Sequence, residues 1–441
     1  MASSPLDPFL LENGFVVLDG GLATELEAQG ADLTGDLWSA ALLADNPSLI
    51  RNTHLAYYRA GADVATSASY QASFEGFLRK GVGPERAKEL LLLSVRLAVE
   101  ARNQFWADYQ EERPASRPAA TKPQALQQQQ QPSQPTATAV EWAEEENDQR
   151  AALSGPNYHE EGRRQHRRRR LRPLVAASLG CYGAVLADGS EYRGDYVDTP
   201  AGSLEEFHAK RLEVLATADG VDMVVFETVP CLAEVRAILS LLQARGDFRP
   251  RVSAVISVSC KDDEHLRSGE RVQDFADLIW RRAADQDDTE GPAAVVTTTA
   301  PPARVVAVGV NCTSPSHAAG ALRTLAAARA RPDARRSAPR ENPPRIALVA
   351  YPNSGEEWDA GARDWVEGTG LREGGVGGGA EEFGRMARDE WFAAGARVVG
   401  GCCRTGQAHV AEVRRALASA AEEKGLQGGE EQQRSALQRS S

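Results

Sequence analysis

Short apolar runs recur along the chain and alternate with longer segments whose apolar residues have helical spacing. Runs such as VVAVGV, IALVA and MVVFE are continuous rather than alternating, which is typical of strands buried on both faces of a parallel sheet. This pattern predicts eight strands: Phe15 to Asp19, Asp63 to Ser67, Pro173 to Ser178, Asp222 to Glu227, Arg251 to Ser259, Val305 to Asn311, Arg345 to Tyr351 and Arg397 to Gly401.

The segments between these strands carry signals for helix ends. Asn46 and Pro47 supply an N-cap and a first-turn proline, Gly61 ends the same segment, and Pro84 begins another helix, as the preferences of helix termini predict. Eight strand-then-helix units joined by right-handed crossovers favour a closed (β/α)8 TIM barrel over an open doubly wound sheet.

Four stretches of the 441 residues do not fit the barrel pattern. A surface loop can lengthen at modest entropic cost, so such stretches need not disturb the barrel. We therefore predict one barrel domain over residues 1–422 with low-complexity surface insertions. The predicted disordered segments are inserts at 113–171, 281–303 and 328–344 and a tail at 423–441.

Charge and hydropathy narrow the range of partners. The formal net charge of −12 argues against a nucleic-acid surface. A basic run from Arg163 to Arg172 lies within the longest insert and is interpreted as a solvated segment. No window has the apolar length of a membrane span, and the first residues lack the basic region of a signal peptide. We expect a cytoplasmic protein that binds small molecules.

Three cysteines follow predicted strands, at the edge where such barrels carry their chemistry. Cys312 follows the sixth strand, and Cys402 and Cys403 follow the eighth. If barrel closure brings these ends together, three thiolates without a fourth protein ligand would form a catalytic rather than a structural zinc site. The alternative is that these cysteines are small buried residues, or that the adjacent pair forms a vicinal disulfide.

An open zinc site of this kind predicts sulfur chemistry. Zinc lowers the pKa of a coordinated thiol, and the thiolate is the nucleophile. Three protein thiolates also keep the site electron-rich, so alkylation of a bound sulfur is favoured over hydrolysis. The remaining cysteines lack partners and are predicted to be structural: Cys181, Cys231 and Cys260.

Several motifs outside the inserts resemble the homocysteine S-methyltransferase family. They include VLDGGLATELEAQGADL at 17–33, LWSAALLADNPSLIRNTHLAYYRAGADVATSASYQAS at 37–73, DMVVFETVPCLAEVRAI at 222–238, VGVNCTSP at 308–315 and VVGGCCRTG at 398–406. The resemblance implies zinc-dependent transfer of a methyl group to the thiol of L-homocysteine, which forms methionine. The first two motifs are similar to the branch that uses S-methylmethionine or S-adenosylmethionine as donor.

The resemblance implies that Cys312, Cys402 and Cys403 bind one Zn²⁺ per chain, with the homocysteine sulfur as fourth ligand. Asn311, beside Cys312, would orient the metal shell. The donor would be a sulfonium, whose charge suits an aromatic face.

The same resemblance assigns the amino-acid part of homocysteine to five other residues. Asp19 and Glu227 would face its ammonium group, where charge-assisted hydrogen bonds are favourable. Gly20, Gly21 and Ser69 would hold its carboxylate, since glycine leaves backbone N–H groups accessible.

Trp38 and Tyr70 are candidates for donor binding by their positions in matching motifs. Within the family, betaine is a rival donor and selenocysteine a rival acceptor. A non-catalytic zinc- or thiol-binding barrel is the alternative from another class. A Rossmann-type S-adenosylmethionine enzyme is disfavoured, because the glycine-rich run at 374–379 follows no predicted strand.

Overall fold

The computed structural model describes residues 4–31, 39–112, 170–186, 188–196, 199–243, 252–288, 304–331, 346–359, 364–366, 368–371 and 379–439. The chain divides into two compact units, one comprising Met1–Trp106 with Arg172–Ser441 and the other Ala107–Leu171. Most of the second unit lies outside the described residues.

The first unit contains eight parallel strands: β1 (Val16–Val17), β2 (Val64–Thr66), β3 (Leu174–Gly180), β4 (Met223–Val229), β5 (Ser253–Val258), β6 (Arg304–Asn311), β7 (Ala347–Tyr351) and β10 (Ala396–Val399). Their order in the sheet is β1-β10-β7-β6-β5-β4-β3-β2. A parallel bridge between Leu18 and Val64 joins the two end strands. The sheet thus curls round on itself, and the predicted TIM barrel is confirmed.

Helices separate successive strands. They are α1 (Asp7–Glu12), α2 (Leu22–Ala28), α3 (Ser39–Asp45), α4 (Pro47–Ala60), α5 (Phe74–Arg79), α6 (Pro84–Glu111), α7 (Tyr182–Leu186), α8 (Ser190–Arg193), α9 (Ala201–Leu215), α10 (Leu232–Gln243), α11 (Val272–Asp288), α12 (Pro315–Ala330), α13 (Ala380–Met386) and α14 (Gln407–Arg439). The helix-end signals predicted from the sequence are confirmed at α4. The Asn46 side chain accepts a hydrogen bond from the N–H of Leu49, and Gly61 ends the helix with φ of 120°.

Three predicted boundaries differ from the described helices. α11 covers the first part of the insert predicted at 281–303, and α12 reaches Ala330, inside the insert predicted at 328–344. α14 is helical to Arg439, where a disordered tail is predicted. Apart from residues 170, 171 and 331, the rest of the inserts lies outside the described residues.

Two elements are absent from the predicted pattern. β8 (Glu357–Asp359) and β9 (Asp364–Val366) form an antiparallel hairpin after β7. A π-helical turn, Ala387–Phe392, continues α13 towards β10. Both elements are too short for the periodicity of apolar residues to reveal them.

The inside of the barrel is packed with apolar side chains. Its central cavity is narrow and is lined by Leu6, Leu18, Val64, Thr66, Met223, Val225, Val255, Val349, Tyr351 and Val398. Thr66 and Tyr351, the polar members of this set, end their strands. The polar side chains of this lining therefore lie at the carboxyl ends of the strands, where barrels of this kind carry their active sites. We call this end the mouth of the barrel.

Among the helices of the described ranges, none combines the length and the apolar character that crossing a bilayer requires.

Candidate functional site

The three predicted metal-binding thiols lie together at the mouth of the barrel. Cys312 follows β6, and Cys402 and Cys403 lie in the loop after β10. Their sulfur atoms all lie within 4.8 Å of one another. The Sγ of Cys403 is 3.7 Å from that of Cys312 and 4.0 Å from that of Cys402. All three are free thiols, and we call them the thiol cluster.

Strained backbone surrounds the thiol cluster. Cys312, Arg404 and Thr228 have φ of 46°, 63° and 60° and are the non-glycine residues with positive φ in the described ranges. This left-handed conformation costs on the order of 1–2 kcal/mol for a residue with a Cβ. Such strain persists where surrounding contacts enforce it, and here it coincides with the site.

Asn311 supplies one of these enforcing contacts. Its side chain is fully buried, its Oδ1 accepts a hydrogen bond from the N–H of Thr228 at 2.8 Å, and its Nδ2 donates to the hydroxyl of Thr228 at 2.7 Å. The same Nδ2 lies 3.9 Å from the Sγ of Cys402. Asn311 therefore ties the end of β4 to the thiol cluster.

Gly21 lets the loop after β1 approach the cysteine loop closely. A Cβ at Gly21 would lie 2.5 Å from the carbonyl oxygen of Cys402, so a side chain would force the loops apart. The N–H of Gly21 donates to the carbonyl of Thr405 at 2.9 Å. It is therefore engaged within the protein, whereas the resemblance implies that it binds the substrate carboxylate.

Hydrogen bonding distributes charge unevenly within the thiol cluster. Contacts with the thiols of Cys312 and Cys402 lower the pKa of Cys403 well below its ordinary value, and a hydrogen bond with Tyr192 lowers it further. Contacts with the other two thiols, together with burial, raise the pKa of Cys402 well above its ordinary value. The cluster therefore favours a thiolate at Cys403.

The donor set fits a soft metal ion. Zinc binds sulfur at about 2.3 Å, so neighbouring sulfurs of a tetrahedral site lie about 3.8 Å apart, and the Sγ of Cys403 lies 3.7 Å and 4.0 Å from the other two sulfurs. Cys312 is buried whereas Cys402 and Cys403 are half-buried, so the cluster is partly exposed. No other group of three His, Cys, Asp or Glu ligands converges in the part of the chain that the structure describes.

Asp19 is a buried carboxylate at the end of β1, with 3% of its surface exposed. It accepts hydrogen bonds from the N–H of Thr66 at 2.7 Å and from the Thr66 hydroxyl at 2.9 Å. Burial raises the pKa of Asp19 to about 8 against the effect of these bonds, and the charge of Glu227 contributes to the rise. The two carboxylates are therefore close enough to repel each other.

Glu227, in β4, receives a hydrogen bond from the hydroxyl of Ser178. The hydroxyl of Ser69 donates to the carbonyl of Ser178 at 2.7 Å and lies 2.7 Å from the hydroxyl of Ser67. Burial raises the pKa of Glu227 to about 7, and the charge of Cys312 contributes to the rise. A cation between Asp19 and Glu227 would favour the charged form of both.

The other residues predicted to bind the substrate or the donor lie around the thiol cluster and the two carboxylates or outside the described residues. A Cβ at Gly20 would lie 2.8 Å from the carbonyl oxygen of Thr405. Ser69, whose hydroxyl is engaged as described, supports the β3 strand end beneath Glu227. Tyr70 packs on Gly180, where a Cβ would lie 2.7 Å from the tyrosine ring. Trp38 lies outside the described residues.

Sequence reasoning missed several residues at the mouth. Tyr192 on α8 contacts Cys403, and the charge of Glu227 acts on Tyr351, which is buried at the end of β7. Arg404 forms an ion pair with Glu356 beside the cysteine loop. Of these, Tyr351 carried a signal, since it ends a predicted strand.

Comparison with known proteins places the chain in one enzyme family. The family model for homocysteine S-methyltransferase matches residues 16–417. Homocysteine S-methyltransferase 4 of Zea mays is 36% identical, over 95% of this chain and 94% of the relative. Homocysteine S-methyltransferase YbgG of Bacillus subtilis is 33% identical, over 93% of this chain and 96% of the relative. The selenocysteine Se-methyltransferase of Brassica oleracea var. italica is 32% identical, over 92% and 90%.

A solved structure extends the likeness to three dimensions. The metallated form of the homocysteine methyltransferase MmuM from Escherichia coli aligns with a TM-score of 0.60 and 32% identity, over 93% of this chain and 99% of that one. Its metallated state and the thiol cluster of this chain together indicate metal binding at the mouth. On the motifs, the barrel, the thiol cluster and these alignments, the chain belongs to the homocysteine S-methyltransferase family.

Proposed function

We propose that this protein transfers a methyl group from a sulfonium donor, S-methylmethionine or S-adenosylmethionine, to the thiol of L-homocysteine and so forms methionine. The observation that carries the proposal is the meeting of three thiols within 4.8 Å with two buried carboxylates at one mouth. An amino acid with a thiol side chain has the groups to engage both.

The thiol cluster would hold one Zn²⁺ per chain. Cys312, Cys402 and Cys403 offer three soft ligands, and the partial exposure of Cys402 and Cys403 would let the sulfur of homocysteine bind as a fourth. When bound, zinc would lower the pKa of a substrate thiol from about 8.5, so that the thiolate is available at neutral pH. Asn311 would fix Cys402 for this purpose through its 3.9 Å contact.

Asp19 and Glu227 would bind the ammonium group of homocysteine. Burial holds the pKa values of both carboxyl groups high, so a cation between them would favour ionisation and form charge-assisted hydrogen bonds. The pair would therefore select an amino acid over a simple thiol. Gly20 would contribute to the binding of its carboxylate.

In the reaction, the homocysteine thiolate attacks the methyl carbon in line with the bond to the donor sulfur. A new sulfur–carbon bond forms as the old one breaks, and the electron pair of the broken bond goes to the donor sulfur. The sulfonium becomes a neutral thioether, and the acceptor becomes methionine. The thiolate needs no further general base, so the side chains act by positioning the two substrates.

Selenocysteine is a second candidate acceptor. A relative that is 32% identical over 92% of this chain is named a selenocysteine Se-methyltransferase. A selenol is at least as soft a ligand as a thiol, so the same cluster could hold it.

The decisive test is a donor panel. Zinc-loaded protein and homocysteine are incubated with S-methylmethionine, S-adenosylmethionine or betaine, and methionine is measured by mass spectrometry, with the Cys403→Ser variant as control. We expect methionine from a sulfonium donor, none from betaine, and none from the variant. A folded, zinc-loaded wild-type protein that forms no methionine from any donor would instead support a non-catalytic thiol-binding barrel.

A further inference from the structure

The loop after β7 is hydrogen-bonded to the loop that carries two of the three thiols. The N–H of Cys402 donates to the carbonyl of Pro352 at 2.8 Å, and the N–H of Ser354 donates to the carbonyl of Cys403 at 3.1 Å. Residues 352–356, called here the β7 loop, therefore lie directly against the main chain of both cysteines. A change in the β7 loop would be transmitted to the thiol cluster.

A side-chain ion pair adds to these main-chain bonds. The guanidinium of Arg404, the residue after Cys403, contacts the carboxylate of Glu356 in the β7 loop through two nitrogens. Its Nε donates to Oε2, and its Nη2 donates to Oε1 at 3.4 Å. An isolated ion pair at a protein surface contributes little to stability, but an arginine that engages both carboxylate oxygens fixes the orientation of the two side chains. We call this contact the Arg404–Glu356 pair.

Arg404 needs this support because its backbone is strained. Its φ of 63° is left-handed, a conformation that is unfavourable for a residue with a Cβ. The N–H of Arg404 donates to the hydroxyl of Thr24 at 2.9 Å, and the N–H of Thr405 closes the turn on the carbonyl of Cys402 at 3.2 Å. The turn that contains Cys403 is therefore held through its backbone and, at Arg404, through a side chain.

Glu356 is itself held by the chain that returns from the β8–β9 hairpin. A Cβ at Gly370 would lie 2.7 Å from the Cγ of Glu356, so the returning chain packs on this side chain. The N–H of Leu371 donates to the carbonyl of Ser354 at 3.0 Å, which closes the base of the segment that contains the hairpin. The carboxylate therefore reaches Arg404 from a loop whose two ends are joined.

We propose that the Arg404–Glu356 pair positions Cys403 for metal binding by fixing the cysteine turn against the β7 loop. The Sγ of Cys403 lies 3.7 Å and 4.0 Å from the other two sulfurs, so a shift of its turn changes the geometry of the whole thiol cluster. The inference rests on the proposed function, because it requires a metal ion at the cluster. Arg404 and Glu356 are not metal ligands, and they act as positioning residues.

The test is a double-mutant cycle read out by zinc affinity. Arg404→Gln, Glu356→Gln and the double variant are compared with wild type by competition with a chelator of known affinity, after circular dichroism has shown that each is folded. Arg86→Gln is the matched control, since Arg86 forms an exposed ion pair with Glu89 at 2.7 Å on α6. We expect each single variant to bind zinc about 10-fold more weakly, the double variant to lose no more than either single one, and the control to match wild type.

Arg404→Gly separates the ion pair from the backbone strain. Glycine adopts a left-handed φ readily, so this variant relieves the strain while it removes the pair. We expect Arg404→Gly to be at least as resistant to denaturant as Arg404→Gln and to bind zinc just as weakly. Wild-type zinc affinity in Arg404→Gly would assign the role of Arg404 to its backbone and overturn the inference.

Cobalt gives a spectroscopic readout that is independent of activity. Co²⁺ bound by thiolates in place of zinc absorbs in bands that depend on the number and arrangement of the sulfur ligands. At saturating Co²⁺ these bands should differ from wild type in both single variants and match wild type in the control. Wild-type zinc affinity and cobalt bands in the folded single variants, or losses of affinity that add in the double variant, overturn the inference. If wild-type protein binds no zinc, the proposed function fails first and the inference falls with it.

Discussion

Glu227 and Glu234 are buried glutamates close together in the chain, yet their surroundings differ sharply. Glu234, on α10, is fully buried and accepts hydrogen bonds from the N–H of Tyr182 at 2.7 Å, the hydroxyl of Tyr196 at 2.6 Å and Nε2 of His208 at 2.8 Å. Nε2 of His208 is the donor in the last bond, because Nδ1 accepts from Arg211 at 3.2 Å.

Glu227 has far fewer partners from the protein. The hydroxyl of Ser178 donates to it, while burial and the charge of Cys312 both raise its pKa. A buried charge whose hydrogen bonds the protein supplies stabilises the fold, whereas one that lacks them remains available to a ligand. The same residue type therefore serves structure on α10 and recognition at the mouth.

The largest effect is expected from Glu227→Gln. Removal of one charge from a buried, hydrogen-bonded charge pair typically costs about 2–5 kcal/mol, so kcat/KM for homocysteine should fall by about 30-fold or more, with little change in melting temperature. Steady-state kinetics and thermal denaturation measure the two effects. Unchanged kinetics would show that the residue does not bind substrate.

The matched variant, Glu234→Gln, should show the reverse. An amide nitrogen would face donors that now bond to a carboxylate, so the free energy of unfolding should fall by about 2–3 kcal/mol. The protein that remains folded should keep its homocysteine KM. Denaturant titration and kinetics test this, with Glu206→Gln as control, since Glu206 is an exposed residue of α9 that pairs with Lys210. A kinetic defect without loss of stability would reverse the assignment.

The barrel and the thiol cluster could both be predicted from the sequence, for one physical reason. Parallel strands buried on both faces read as continuous apolar runs, and the ends of these strands share one edge, so Cys312 and Cys402 could be placed together before any coordinates.

Glu234 shows what the sequence could not provide. It lies in the first turn of a helix, where a carboxylate is ordinary because it interacts well with the helix dipole. Its burial depends on how α9 packs beside α10. Such packing is set by loop geometry, which apolar periodicity does not encode.

Asn311 tests whether a residue of the mouth can also be structural. Asn311→Ala removes both hydrogen bonds to the strained Thr228 and the contact with Cys402. We expect zinc affinity to fall by about 10-fold to 100-fold, as for other residues that support metal ligands. Competition with a chelator of known affinity measures it, and wild-type zinc retention would remove Asn311 from the metal site.

The smallest effect is expected from deletion of residues 115–170. This segment belongs to the predicted insert, so methyl transfer and zinc content should match the full-length chain within about twofold. Parallel assays of the two proteins test this. A folded deletion variant with impaired transfer would give the insert a role in function.

Metal analysis combined with activity tests the central claim most directly. Purified wild-type protein and Cys403→Ser are analysed by inductively coupled plasma mass spectrometry and assayed for methionine formation. We predict about one zinc per wild-type chain, with loss of both metal and activity in the folded variant. Wild-type protein that is free of metal and still forms methionine at full rate would contradict the account.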